Sequence, residues 1–268
     1  ILILPVVILL LIYTASQGTI INGANASRWI RIPIVGLSFQ TSTLALVVTM
    51  IYVAQYLSKN KNNFKSFIKS ILVLWLPVAV IIGLILPSNL STAALLFLVV
   101  LVLCFIGGYP IQYLLGIVCS GVGFFVLFFM TSRAYPEAMP NRVDTWMSRI
   151  ENFNDSSQSD GSYQIDRAKM AIATGKIFGL GAGKSRMKNF LPQSSTDFIY
   201  AIIIEEFGLV GGLGLLLIYL LLLFRVVVIA HRATTTFGKL LVIGLGLPIL
   251  GQALINMGVA VQILPVTG

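Results

Sequence analysis

Of 268 residues, 57% are hydrophobic and only 10% are charged, and the mean hydropathy is +0.94; a water-soluble domain carries about 25% charged residues, so a soluble globular fold is excluded. The net charge of +9 would suggest a nucleic-acid partner in a soluble protein, but here the cations sit between apolar runs, and no nucleic acid is expected. The two cysteines, Cys104 and Cys119, both lie inside apolar runs, which favours packing over a disulfide or a metal pair.

Apolar runs of roughly 17–25 residues read as membrane-spanning helices. They fall at about 1–16, 41–57, 70–87, 90–107, 110–131, 198–230 and 240–258, which predicts an all-α, polytopic helical bundle forming a single membrane domain over 1–268. The chain opens in an apolar run at Ile1 and stops at Gly268 within a pattern, so it is expected to be a fragment of a longer protein. Short loops orient the bundle through their Lys and Arg content. The 58–69 loop carries Lys59, Lys61, Lys65 and Lys69 without an acid, and the 231–239 loop carries His231, Arg232 and Lys239. Both are expected on the cytoplasmic side, which places 17–40 and the long segment 132–197 outside. That long segment holds seven of the nine acids and amphipathic stretches at Arg142 to Phe153 and Tyr163 to Thr174, so short helices on the membrane surface are expected there.

Several motifs have simpler readings. "FGLGAGKSR" looks like a phosphate-binding P-loop, but Phe178 stands where the first glycine belongs and no strand precedes it. What remains is a turn with Lys184, Arg186 and Lys188, whose simplest account is a solvated or headgroup-facing charge run. "LPVTG" at the end resembles a wall-sorting signal but lacks the hydrophobic tail and basic end; an ordinary turn explains it better. Asn25-Ala26-Ser27 fits a glycosylation triplet of a kind that arises often by chance. His231, the only histidine, lies on the inner side, away from any Ser-His-Asp set at the outer face.

The stretch "STDFIYAIIIEEFG", Ser195 to Gly208, holds three acids where the chain turns apolar. At 1.5 Å per residue, Glu205 and Glu206 lie roughly 12–13 Å deeper than Asp197. A carboxylate facing lipid there costs on the order of 3 kcal/mol or more, so both must face protein, water or a partner. A buried polar anchor, paired with an Arg or a backbone donor from another helix, is the plain reading of each. The Gly-rich "GLVGGLG", Gly208 to Gly214, permits close helix approach or a kink. For Asp197 the plain reading is a helix N-cap, a role open also to Ser195 and Thr196; a catalytic carboxylate is the alternative.

Five stretches carry a family resemblance: "NGANASRWIRIPIVGLSFQ" (22–40), "LPSNLSTAALL" (86–96), "GSYQIDRAKMAIATGKIFGLGAG" (161–183), "LPQSSTDFIYAIIIEEFGLVGG" (191–212) and "NMGVAVQILPVTG" (256–268). Together they resemble the SEDS family (shape, elongation, division and sporulation; the FtsW/RodA/SpoVE proteins), with its division-type branch the nearer on "GANASRW" and "NMGVAVQILPVTG". The resemblance implies a bacterial plasma-membrane protein whose ten spans would be represented here without the first two and the last. It implies an inverting peptidoglycan glycosyltransferase, serving cell division and cell shape, that polymerises lipid II, a disaccharide-pentapeptide on undecaprenyl pyrophosphate. Implied partners are a class B penicillin-binding protein and other divisome components.

The family's essential aspartate corresponds to Asp197. As a general base it would take the proton of the acceptor sugar hydroxyl, help worth about 10²–10⁴-fold. Charge on the leaving pyrophosphate needs cations, for which Arg28, Lys184, Arg186 and Lys188 are candidates. A divalent cation is a further source of positive charge; few carboxylates are on hand to hold one, so the metal stays open and no cofactor is assigned. Trp29 stacks on substrate or belongs to the interfacial belt, and Tyr163 and Gln164 match the family's "YQ" pair and are expected to shape the loop.

The chain departs from the pattern where the family often reads Gln-Pro-Ser-Glu followed by Lys: it has Gln40-Thr41-Ser42-Thr43, with Leu46 at the Lys position, and Asn89 replaces the acid of "PDL". Roles given to those acids and that Lys do not transfer. Three other readings stay in play: a lipid II flippase using Glu205 and Glu206, a non-catalytic divisome scaffold, and an O-antigen-type polymerase or ligase, which the "TDFIY" and "EEFG" context disfavours.

Overall fold

The computed structural model describes residues 3–17, 29–31, 38–61, 64, 67–134, 160–190 and 198–264. Among them are eight helices: α1 (Ile3–Gln17), α2 (Thr41–Asn60), α3 (Phe67–Ile85), α4 (Leu90–Ile106), α5 (Ile111–Ala134), α6 (Asp160–Gly175), α7 (Ile199–Arg232) and α8 (Thr236–Ala260). A small antiparallel hairpin, β1 (Trp29–Arg31) and β2 (Ser38–Gln40), sets Trp29 opposite Gln40 just before α2. The fold is the helical membrane bundle expected. Among the described residues α2, α3, α7 and α8 are long and apolar enough to cross a membrane, and α1, α4 and α5 contain shorter apolar stretches. Along α7, Leu213, Leu217, Ile218, Leu221 and Phe224 all stand exposed. An apolar surface of that extent needs lipid or protein against it.

The described residues group into two compact units. The first comprises α1 to α5, the hairpin and residues 226–248. Here α2 packs on α1 and α4, and α3 on the same two helices. The face of α2 that does this is Ala45, Met50, Val53, Ala54 and Leu57, all fully buried, with the Thr49 hydroxyl donating back to the Ala45 carbonyl at 2.7 Å. At one end of this unit the Tyr109 and Ser70 hydroxyls share a hydrogen bond of 2.6 Å, and the Tyr109 ring meets Phe64 edge-on. The start of α3 and the turn between α4 and α5 therefore lie at the same end. At α4, the Asn89 side chain accepts from the Thr92 amide at 3.2 Å and from the Ser91 hydroxyl at 2.9 Å. The departure from aspartate thus keeps the N-cap, since Asn caps as well as Asp.

Helix α3 contains a π turn over Ile71–Trp75, closed by the Leu76 amide on the Ile71 carbonyl. Pro77 explains the irregularity, because proline has no N–H to give the carbonyl four residues back, which is Val73. The Tyr52 hydroxyl of α2 donates to that Val73 carbonyl instead. A backbone group left alone in a membrane core has no water to turn to, so the tyrosine repairs what the proline removes.

The second unit holds residues 160–190, 198–225 and 249–264. Its core joins Ala168 and Ala171 of α6 to Phe198, Ala201 and Ile202 at the start of α7 and to Val259 and Ala260 of α8. Small residues let these backbones come close, which is how helices associate where lipid offers no hydrophobic gain.

Tyr52→Phe is expected to lower the stability of the detergent-purified protein by about 1 kcal/mol, the usual net worth of one hydrogen bond. A thermal melt checks it, and the loss should shrink when Pro77→Ala restores an N–H to Val73.

Candidate active site

The site is built around a break in α7. Gly208, inside the helix, has φ 71° and ψ −172°, outside helical geometry. A break frees the carbonyls before it and the amides after it, and the segment following α6 takes both. The Leu180 amide donates to the Glu205 carbonyl and the Gly181 amide to that of Glu206, each at 2.9 Å. In return the Leu209 amide donates to the Lys176 carbonyl at 2.9 Å and the Val210 amide to that of Ile177 at 3.2 Å. Two glycines allow the approach. A Cβ on Gly208 would stand 2.1 Å from the Ile177 oxygen, and one on Gly179 (φ 78°) would stand 2.2 Å from the Glu206 oxygen.

Beyond this backbone clasp the loop turns, and Glu205 receives it. The Glu205 side chain is 0% exposed. The Ser185 hydroxyl donates to its Oε2 at 2.6 Å, the Arg186 amide to Oε1 at 3.0 Å, and the Met187 amide is shared between both oxygens at 3.4 and 3.3 Å. The Lys188 amide donates to Ser185 Oγ at 3.1 Å and closes the turn. All of these donors come from this loop, and none is an Arg side chain or a group of another helix. Arg186 contributes its amide, leaving the side chain exposed, as are those of Lys184 and Lys188. Three exposed cations therefore belong to a turn whose amides at Arg186 and Met187 face a buried carboxylate.

The other sequence candidates are distributed as follows. Glu206 is partly exposed, and its carbonyl belongs to the clasp. Gln164 is half-buried on α6, and Tyr163 lies in the same helix with its side chain outside the described residues. Trp29 belongs to the first unit, where it lines a shallow cleft of about 420 Å³ with Phe39, Gln40, Thr43, Leu44 and Val47. Asp197 and Arg28 lie outside the described residues; Phe198, next to Asp197, is fully buried. The sequence reading missed Ser185 and also Arg167, whose guanidinium sits 5.3 Å from the Phe190 ring centroid. Among the described residues no three His, Cys, Asp or Glu side chains gather to hold a metal.

Gly208→Ala should destabilise the protein by about 2 kcal/mol or more, because the new methyl meets a backbone oxygen and the φ is unfavourable. Gly214→Ala, six residues on with open space around it, should melt like the parent. Thermal melts of the two variants side by side provide the check.

Comparison with known proteins covers the whole chain. The family profile described as "Cell cycle protein", for FtsW, RodA and SpoVE, matches residues 1–268. Probable peptidoglycan glycosyltransferases FtsW from Geobacter sp. (strain M18) and Marinomonas mediterranea are 34% and 33% identical over 97% and 99% of the chain. The chain spans 68% and 63% of their respective lengths. Among solved structures, a chain of a peptidoglycan synthase complex that coordinates polymerization and crosslinking is similar with a TM-score of 0.71 and 25% identity, over 99% of this chain and 71% of that one. The rod shape determining protein RodA of Thermus thermophilus shares the fold, with a TM-score of 0.62 and 23% identity over 96% of this chain and 64% of that one. The chain belongs to the FtsW/RodA/SpoVE family of cell cycle proteins.

Proposed function

We propose that this protein is a peptidoglycan glycosyltransferase that extends glycan strands from lipid II with inversion, on the outer side of the bacterial plasma membrane. The observation that carries the reading is the cationic turn Lys184–Lys188, held to α7 by Glu205 and by the clasp, in the same unit as the start of α7 that follows Asp197. The names of the relatives agree with it.

Asp197 serves as general base. It takes the proton from the acceptor sugar hydroxyl as that oxygen attacks the anomeric carbon of the donor. The bond to undecaprenyl pyrophosphate breaks, and the negative charge moves onto the leaving phosphate. Lys184, Arg186 and Lys188 meet that charge. Tyr163 and Gln164 shape the loop. Cations fixed before the reaction stabilise developing charge without reorganising, which makes such preorganisation effective. The lipid tail stays in the bilayer throughout.

The outer placement is supported by the basic loops at 58–69 and 231–239, which favour the cytoplasmic side. The Ser70–Tyr109 contact agrees, because it sets the turn between α4 and α5 beside the start of α3. A class B penicillin-binding protein, with other divisome components, is the partner proposed for cross-linking the strands; the similarity to a chain of a peptidoglycan synthase complex supports that choice. The flippase alternative relied on Glu205 and Glu206 as polar groups along a path. Glu205 is saturated by three donors and closed to solvent, which favours an anchoring role.

Asp197→Asn in the full-length protein, assayed for strand formation from purified lipid II with its penicillin-binding partner present, should lose about 10²–10⁴-fold in rate. Its thermal melt should be unchanged. A variant as active as the parent would end the assignment, and translocation of labelled lipid II without polymerisation would favour the flippase.

A further inference from the structure

We infer that Glu205 is a positioning residue for pyrophosphate recognition: its buried carboxylate fixes the Ser185–Met187 turn so that Lys184, Arg186 and Lys188 are presented together to the diphosphate of the lipid carrier. The inference rests on the transferase reading and deepens it.

The backbone clasp alone attaches the loop as far as Gly181. Beyond it the Met187 side chain packs on the core of the unit, and every hydrogen bond that ties residues 185–187 to α7 ends on the Glu205 carboxylate. Stability alone is a poor reason for the choice. A carboxylate this deep in an apolar helix is expensive, and an apolar side chain of similar volume would fill the space at lower cost. What the carboxylate adds is direction. It gathers one hydroxyl and two amides on the inner side of the turn, so the backbone faces inward and the side chains of Arg186 and Lys188 stay exposed. The arrangement suits a ligand with two adjacent phosphates, which several cations can grip at once, better than one with a single phosphate.

The chemistry separates acceptor from charge. Glu205→Gln keeps a carbonyl oxygen for the Arg186 and Met187 amides, and its NH₂ can donate to Ser185 Oγ. Glu205→Ala keeps neither. The test measures direct binding of undecaprenyl pyrophosphate and of undecaprenyl monophosphate to the full-length protein in nanodiscs, alongside lipid II polymerisation. Glu205→Ala should weaken pyrophosphate binding about tenfold, shift monophosphate binding far less, and cut the polymerisation rate about 10²-fold, the cost of a small misplacement of groups around a reacting centre. Glu205→Gln should recover most of both. An alanine variant that folds and keeps pyrophosphate affinity overturns the inference, as does a glutamine variant as damaged as alanine. If the alanine variant does not fold, Ser185→Ala decides: weaker pyrophosphate binding supports the inference and unchanged binding overturns it. If the parent binds pyrophosphate in a Glu205-dependent way yet fails to polymerise lipid II, the transferase reading falls while the positioning role stands.

Discussion

Inside a membrane, a backbone that leaves helical geometry has to find new partners for its N–H and C=O groups, because lipid supplies none. At Gly208 the α7 helix does leave that geometry, and its freed groups are met by the segment 176–181 through four hydrogen bonds running in both directions. The rest of the candidate site follows from that exchange. It draws a loop from the far end of α6 against the body of a spanning helix. It explains why glycine occupies both sides of the contact, since a methyl on either would strike the opposite chain.

Once the loop is anchored, a second constraint acts on its continuation. Glu205 lies one turn before the break and is closed to solvent. A carboxylate in that position is tolerated only when its oxygens are filled, and the Ser185 hydroxyl with the Arg186 and Met187 amides fills them. The cost of burying the carboxylate is thereby converted into a defined turn that carries three exposed cations. Tyr52 in the first unit follows the same logic on a smaller scale, donating to the Val73 carbonyl that Pro77 leaves without its usual helical donor. In both places a local break in helix geometry is matched by a specific side chain or loop rather than by solvent.

Much of this was legible in the sequence. The helical membrane fold follows from long apolar runs with few charges, a signal that does not depend on tertiary contacts. The amphipathic stretch from Tyr163 to Thr174 marked the helix now seen as α6, whereas its counterpart at Arg142 to Phe153 lies outside the described residues. The cost of an acid in lipid was enough to say that Glu205 had to face protein, water or a partner. It was not enough to name Ser185, twenty residues earlier, because no local pattern links a helix to a loop folded back on it. The glycines of "FGLGAGKSR" mimicked a phosphate loop; in the structure Gly179, Gly181 and Gly183 take positive φ and shape a turn. The hairpin of β1 and β2 went unread within the 17–40 loop because strands of three residues carry no alternation to detect. At Asn89 the departure from the family pattern looked like a lost acid, yet the cap survives because capping needs an acceptor rather than a charge.

The central claim is that the segment after α6 is stitched into the break of α7. Hydrogen–deuterium exchange on the full-length protein in nanodiscs tests it most directly, read at the amides of Leu180, Gly181, Leu209 and Val210. The account predicts that all four exchange slowly, together with the body of α7, and that Gly208→Ala releases them as a group. Rapid exchange at Leu180 and Gly181 in the parent protein, at the rate of an open loop, would contradict it.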